Sequence, residues 1–307
     1  MPPLLQALRP SQWIKNLIVL AAFFFACWDP SQQTAVASPI VAAGRVVAAA
    51  LLFCVVSSAI YLMNDIRDVA ADRTHPVKRL RPIAAGQVGI RSAWGLAGVL
   101  LLLGVGGAWW LSRPFAGLIC GYVALQVAYT FFLKRVALLD VFVIAVGFVL
   151  RAVAGALVIA VRISPWLLLC TFLLALFLGL CKRRHEKRLL EDGKAHHHRQ
   201  ALAGYDERLL DLLIGMAGAS TMVSYAIYTL SPETVERFGT SQLGLTIPFV
   251  VFGIFRYLDL VYRQEQGGRP EKVLLTDRGM IITVLLYVLT ALVVFVVAHH
   301  GGAPVAG

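Results

Sequence analysis

Nine long apolar stretches, separated by shorter polar segments, occupy most of the chain. They cover residues 13–28, 40–63, 91–111, 115–133, 137–161, 165–182, 209–231, 242–262 and 280–299. A bilayer core about 30 Å thick is crossed by roughly 20 apolar residues in a helix. The first stretch is short and follows Arg9 and Lys15, as in a signal peptide, but Trp13 at its interface and the later spans favour a membrane helix. The pattern predicts an all-α integral membrane protein, one domain over residues 1–307, with nine transmembrane helices.

Positive charges fall on alternate sides of these spans. The N-terminus and the segments 64–91, 134–135, 182–208 and 263–278 hold 22 of the 28 Lys and Arg residues. The opposite side has only Arg45, Arg113, Arg162 and Arg237, and the last two, Arg151 and Arg256, lie inside spans. Because positive loops stay in the cytoplasm, we expect a cytoplasmic N-terminus, an outside C-terminus and a plasma (inner) membrane location.

Composition agrees with this interpretation. The 307 residues are 59% hydrophobic and only 15% charged, with a mean hydropathy of +0.75, whereas soluble domains carry about 25% charged residues. Soluble enzymes and disordered proteins are thereby excluded. The net charge of +11 follows from topology, so no nucleic-acid partner is expected. The five cysteines show no CxxC pairing and are expected to be small apolar residues rather than metal ligands.

An acid-rich motif, Asn64-Asp65-Ile66-Arg67-Asp68-Val69-Ala70-Ala71-Asp72, stands at the cytoplasmic end of the second span. In a helix with about 100° between residues, Asn64, Asp68 and Asp72 share one face, and Asp65 lies near it. Carboxylates at a helix C-terminus oppose the helix dipole, so a cation must compensate them. Hard oxygen ligands suit Mg²⁺, and the motif predicts Mg²⁺ on Asn64, Asp68 and Asp72; a solvated helix end is the alternative.

A basic segment, His75-Pro76-Val77-Lys78-Arg79-Leu80-Arg81-Pro82, follows the acids directly. Pro76 should end the helix two residues earlier and turn the cations Lys78, Arg79 and Arg81 back toward the acids. Cations beside metal-bound carboxylates form a clamp for phosphate oxygens. Anchoring to anionic lipid is the competing interpretation.

These residues resemble the UbiA-type intramembrane prenyltransferase superfamily, whose first motif, NxxxDxxxD, matches Asn64, Asp68 and Asp72. The longer string NDxxDxxxDxxHPxKRxRPIA, with the opening Arg9-Pro10-x-Gln12-Trp13-x-Lys15-Asn16, is similar to its decaprenyl-phosphate phosphoribosyltransferase branch. The likeness covers essentially the whole chain, including the segments 129–134, 147–155 and 182–186. It implies nine helices with a cytoplasmic-facing aspartate-rich site.

The superfamily ordinarily has a second acidic motif after the sixth span, where this chain reads Cys181-Lys182-Arg183-Arg184-His185-Glu186-Lys187-Arg188. A prenyl diphosphate would need metal there, whereas a phosphate monoester needs cations; positive-inside anchoring is again the alternative. With the resemblance, we expect catalytic acids at Asp65, Asp68 and Asp72. The expected substrate-binding residues are Lys15, Asn16, His75, Lys78, Arg79, Arg81, Tyr129, Lys134, Arg151, Lys182, Arg183 and Glu186.

Two further features invite a site interpretation. Arg151 lies mid-span, where an ionisable group is costly and is either functional or the partner of a buried acid. The consecutive histidines His196, His197 and His198 would point around a helix rather than to one point. We expect them to lie in a solvated loop.

The resemblance implies transfer of 5-phosphoribosyl from phosphoribosyl diphosphate (PRPP) to a polyprenyl (decaprenyl) phosphate, with Mg²⁺ as cofactor, toward a cell-wall arabinan precursor. The lipid phosphate is already anionic, so positioning and electrostatics would suffice for catalysis. The alternative within the superfamily moves an isoprenyl chain from its diphosphate to an aromatic acceptor. A transporter or flippase would place ionisable residues at the midplane of broken helices, where only Arg151 and Arg256 are candidates. Formation of a homo-oligomer is left open.

Overall fold

The computed structural model describes residues 2–75, 77–191, 204–264, 267–268 and 270–301. Pro76 and the three histidines at 196–198 lie outside these ranges. Within them, nine helical stretches are long and apolar enough to cross a membrane, and no strand occurs. The predicted fold class and number of spans are confirmed. The sixth helix continues to Glu191, nine residues past its predicted end, because the residues after Lys182 are good helix formers without Gly or Pro.

The α-helices have the following bounds in chain order: α1 Pro3–Ala7, α2 Ala21–Cys27, α3 Pro39–Arg67, α4 Val69–Thr74, α5 Ile90–Leu111, α6 Arg113–Phe131, α7 Leu139–Ile159, α8 Pro165–Glu191, α9 Glu207–Leu230, α10 Pro232–Phe238, α11 Ile247–Arg263, α12 Pro270–Thr276 and α13 Arg278–Gly301. Short 3-10 segments lie between them, at Pro10–Leu20, Pro30–Gln32, Lys78–Leu80, Leu133–Arg135 and Gln242–Thr246. Proline is the first residue of α3, α8, α10 and α12, the position where its missing N–H is tolerated.

The first span is unusual because its N-terminal half, Pro10–Leu20, is a 3-10 helix that continues into α2. Side chains three residues apart are aligned in this geometry. Trp13 and Asn16 accordingly project together onto α3. Trp13 Nε1 donates to Ser58 Oγ at 3.0 Å, and Asn16 Nδ2 lies 3.4 Å from Ser57 Oγ. These polar contacts fix the rotation of the first span against α3.

Helix α7 lies at the centre of the bundle, in contact with the first span, α3, α6 and α8. One apolar core cluster joins α7 to the first span, α3 and α6, and includes Val19, Phe53, Phe115 and Ala154. A second joins α7 to α8, α9 and α11, and includes Val141, Phe177, Leu210 and Tyr257. The outer surface carries large apolar side chains, as a surface facing lipid requires. Helix α7 therefore holds the two parts of the bundle in register.

Gly155 allows α7 to approach the backbone of the first span closely. A Cβ atom on Gly155 would lie 1.9 Å from the carbonyl oxygen of Val19 and 3.3 Å from Cβ of Ala22. A backbone atom cannot move aside as the end of a flexible side chain can. Any larger residue at position 155 must push the first span, with its polar residues, away from α7.

We therefore expect Gly155→Ala to lower the free energy of unfolding by about 1–3 kcal/mol through overpacking, measured by thermal unfolding in detergent. Gly98→Ala is the matched control, since open space surrounds the new Cβ in α5, and it should stabilise the helix by up to about 1 kcal/mol. Equal stability of the Gly155→Ala protein and the wild type would contradict the close approach.

Candidate active site

The acid-rich motif lies at a break between two helices. Helix α3 ends at Arg67, Asp68 has φ −95° and ψ 7°, and α4 begins at Val69. The prediction of one continuous helix through the motif is wrong at Asp68. Backbone hydrogen bonds from Asp68 N to Asn64 O (2.9 Å) and from Asp72 N to Asp68 O (2.8 Å) bridge the break. The motif therefore remains compact although its side chains divide into two pairs.

Asn64 and Asp68 form the first pair, and both face Lys134. The Lys134 ammonium lies 2.6 and 2.8 Å from the two Asp68 carboxylate oxygens and 3.3 Å from Asn64 Oδ1. Lys134 belongs to the 3-10 turn between α6 and α7 and is buried. Two oxygen-bearing side chains thus converge on one cationic atom.

Asp65 and Asp72 form the second pair, and both face Arg81. Arg81 Nη1 lies 3.1 Å from Asp65 Oδ1 and 2.6 Å from Asp72 Oδ2. Arg9 also contacts Asp65, and its guanidinium stacks over Tyr61 with 5.0 Å to the ring centroid. The two carboxylates are only 3% and 4% exposed, and a buried charge is tolerated only with such partners.

The turn after α4 is the one predicted, since α4 ends at Thr74 and Arg81 returns to the acids. The turn is organised by His75, whose Nδ1 accepts backbone N–H bonds from Val77 at 3.1 Å and Lys78 at 3.2 Å. Arg79 is exposed and Lys78 is half-buried. Arg81 therefore joins this segment to the acid cluster.

The motif fits a divalent cation in the kind of ligand it offers. Each of the two pairs of side chains already contacts a positively charged nitrogen atom. Their carboxylate and amide oxygens are ligands that Mg²⁺ accepts. Among the described residues, no three His, Cys, Asp or Glu side chains are grouped as a ready metal site, because Lys134 and Arg81 lie within the two pairs. A metal ion would have to take the place of one of these cations.

A second charged cluster, missed in the sequence, centres on Glu271 in α12. Gln12 Nε2 donates to Glu271 Oε1 at 3.0 Å, and Lys15 Nζ lies 4.0 Å from Oε2. Burial raises the pKa of Glu271, but the Lys15 ammonium, the Gln12 amide and, more weakly, Lys182 outweigh it and hold the pKa below its ordinary value. After Pro270, an acid is an ordinary helix start, so the sequence carries no signal for this site.

Arg151 is a buried guanidinium bound by neutral groups. Its Nε donates to Asn16 Oδ1 at 2.8 Å, Nη1 to the Gly147 carbonyl at 2.8 Å and Nη2 to the Tyr122 hydroxyl at 2.7 Å. The Tyr122 ring also lies under the guanidinium, at 4.9 Å. Arg151 has no ion pair with an acid in the part of the chain that the structure describes, so the alternative of a buried acidic partner finds no support.

The basic segment at the end of α8 contains one fully buried ion pair. Arg183 is 1% exposed, and its Nε lies 2.6 Å from Asp140 Oδ2 on α7. Asp140 also accepts the Tyr205 hydroxyl at 2.7 Å, and Arg183 pairs with Glu186. These contacts give Arg183 a structural role in joining α7 to α8. Two other predicted residues lie near these charged clusters. Tyr129 is close enough to act electrostatically on Arg183, and Lys182 is close enough to act on Glu271.

We expect Asp140→Asn to destabilise the protein by about 3 kcal/mol, because it removes the buried carboxylate that faces Arg183 and leaves the partly exposed Glu186 as an ion-pair partner. Asp259→Asn, which alters a partly exposed pair with Arg256 at 2.9 Å, should cost much less stability, because solvent screens such a pair. Thermal unfolding in detergent measures both variants. Equal losses in the two proteins would show that the Asp140 pair is not structural.

The amino-acid sequence is similar to those of known proteins. Residues 17–272 match the UbiA prenyltransferase family. The decaprenyl-phosphate phosphoribosyltransferase of Mycolicibacterium smegmatis is 37% identical over 295 residues, 93% of this chain and 90% of the relative. The protein of the same name from Corynebacterium glutamicum is 36% identical over 292 residues, 93% of this chain and 84% of the relative.

The fold is also that of solved structures. A UbiA homolog from Archaeoglobus fulgidus, bound to DMAPP and Mg²⁺, has a TM-score of 0.68 at 19% identity and covers 96% of this chain and 99% of its own. The same homolog bound to GPP and Mg²⁺ gives the same TM-score and coverage. At this level of identity the likeness shows the fold.

Proposed function

Because the chain belongs to the UbiA prenyltransferase family, we propose, from its relatives and its site, that it transfers 5-phosphoribosyl from PRPP to decaprenyl phosphate and releases diphosphate. The names of relatives 36–37% identical over 93% of the chain support this activity. The observation that carries it in the structure is the acid cluster, where Asp65, Asp68 and Asp72 are all held by cations at one end of the bundle. Such a site can exchange these ion pairs for a metal-bound diphosphate.

The donor half of the site is assigned to the acid motif and its cations. Asn64, Asp68 and Asp72 would hold Mg²⁺, with Asp65 beside them, and the ion when bound would act as a Lewis acid on the leaving diphosphate. Arg81 and Lys134 lie against these acids, and they are the cations available to diphosphate oxygens once the acids take another partner.

The acceptor half is assigned to cations on the first span, in α7 and at the end of α8. Lys15, Lys182 and Arg151 would draw the anionic lipid phosphate to the site. The phosphate oxygen gives an electron pair to ribose C1, while the bond from C1 to the diphosphate breaks and its electrons leave with the diphosphate. The incoming oxygen is already anionic at neutral pH, so no general base is needed, and positioning with electrostatic stabilisation supplies the catalysis.

The site belongs on the cytoplasmic face of the plasma membrane in this proposal. The positive-inside rule places the N-terminus and the acid motif there, where PRPP would be available. The single polytopic domain would act on a lipid lying between its helices. The product would then be used to make a cell-wall arabinan precursor. A homo-oligomer is compatible with these assignments.

Purified protein in detergent, supplied with Mg²⁺, labelled PRPP and decaprenyl phosphate, is expected to move label into the organic phase, and EDTA should abolish the transfer. The control replaces decaprenyl phosphate with the corresponding alcohol, which lacks the anionic nucleophile. No transfer of label, together with isoprenyl transfer from an isoprenyl diphosphate to an aromatic acceptor, would instead establish the prenyltransferase activity.

Removing one motif carboxylate should impair transfer strongly. We expect Asp68→Asn and Asp72→Asn each to lower the transfer rate about 100-fold or more and to raise the Mg²⁺ concentration that gives half of the maximal rate. Asp206→Asn, at an exposed cytoplasmic acid, is the matched control and should keep the wild-type rate. Full activity of both motif variants at saturating Mg²⁺ would rule out the donor assignment.

A further inference from the structure

The connection between α11 and α12 carries Glu271 into the middle of the cytoplasmic end. A Cβ atom on Gly267 would lie 3.1 Å from the carbonyl oxygen of Cys181, and one on Gly268 would lie 2.5 Å from the His185 ring. The connection thus passes against the end of α8 before α12 begins at Pro270. Glu271 then reaches the first span, 259 residues earlier in the chain at Gln12.

A buried hydroxyl without a partner lies near this carboxylate. Tyr257 on α11 is 2% exposed, and its ring packs edge-on against Phe177 at 5.7 Å between centroids. Its hydroxyl has no hydrogen-bond partner within the described ranges. Leaving a buried hydroxyl unpaired costs stability, and Glu271 is close enough to act on it electrostatically. A buried donor with no acceptor therefore lies beside α12, since Tyr257 and Val273 of α12 belong to one core cluster.

The groups around Glu271 are nearly all donors. Gln12 offers an amide N–H, Lys15 an ammonium and Tyr257 a hydroxyl, while the charge of Lys182 acts on the same carboxylate. A carboxylate brings one negative charge and two oxygens to this set. A phosphate monoester brings up to two negative charges and three terminal oxygens, which match such donors better.

We propose that Glu271 is an internal placeholder in a phosphate-monoester subsite, and that the incoming phosphate displaces it and binds Gln12, Lys15 and Tyr257. The assignment deepens the proposed function and rests on it for the identity of the phosphate. Both the 5-phosphate of PRPP and the phosphate of the polyprenyl lipid have this chemistry. Displacement of Glu271 would also release α12 from the first span.

The test measures binding rather than turnover. Detergent-purified full-length protein in EDTA is titrated calorimetrically with ribose 5-phosphate and, separately, with farnesyl phosphate. Glu271→Gln removes the competing charge and should raise the affinity for one of the two phosphates about three- to tenfold. Tyr257→Phe should lower the affinity for the same phosphate by a similar factor. The phosphate that responds identifies the source.

Two matched variants control for general effects. Glu207→Gln removes a cytoplasmic carboxylate 3.7 Å from Arg188, and Tyr228→Phe removes a hydroxyl buried at the other end of the bundle. Neither should change the affinity for either phosphate. If Glu271→Gln does not fold, the phosphate affinity of Tyr257→Phe decides the question, because this substitution removes a single oxygen atom and should leave the fold intact.

Unchanged affinity for both phosphates in Glu271→Gln and Tyr257→Phe would overturn the inference. Weaker binding of both phosphates to Glu271→Gln would also overturn it, because Glu271 would then be a structural contact between α12 and the first span. A responding phosphate in a protein that transfers no label to lipid would uphold the subsite while refuting the proposed phosphoribosyl transfer. The two failures are therefore separable.

Discussion

Carboxylates at the end of an apolar bundle must be neutralised, and the end of this protein that carries the acid-rich motif is organised by that requirement. Asp65 and Asp72 are almost completely buried at the end of α3 and in α4, and at the end of α3 the helix dipole is also unfavourable to an acid. Their cations come from distant parts of the chain, Arg9 before the first span and Arg81 after α4, while Lys134 between α6 and α7 holds Asp68. These pairs bring the N-terminus, the turn after α4 and the α6–α7 turn to one place.

The same constraint connects the structure with the proposed chemistry. A site whose charges are already balanced can accept a diphosphate with its metal ion. The acids would then bind the metal ion, and the cations that they release would bind the diphosphate. Glu271 and Lys15 form a smaller example of such a balanced pair. The Arg183–Asp140 pair differs, since both side chains are buried within the bundle, and it serves to join α7 and α8.

The sequence predicted those parts of the site that depend on local geometry. The spacing of Asn64, Asp68 and Asp72 keeps them in one compact motif, although the break at Asp68 leaves Asp72 beside Asp65 and Arg81. The segment after α4 turns back as predicted, so that Arg81 meets the acids. Lys134 was expected only from the resemblance, because its pairing with Asp68 spans 66 residues. Glu271, Asp140 and Tyr257 gave no signal, since each acquires its neighbours from helices distant in sequence. Gln12 and Lys15 are aligned because this part of the first span is a 3-10 helix. The apolar sequence of the span predicts an α-helix instead.

The central claim is that the acid motif holds the diphosphate of PRPP through a divalent cation. Equilibrium binding of labelled PRPP to the purified protein, measured in Mg²⁺ and in EDTA without any acceptor lipid, tests it most directly. The account predicts binding in Mg²⁺ that is lost in EDTA and is equally lost in the Asp68→Asn protein. Equal binding in Mg²⁺ and EDTA, or binding that Asp68→Asn leaves intact, would contradict it.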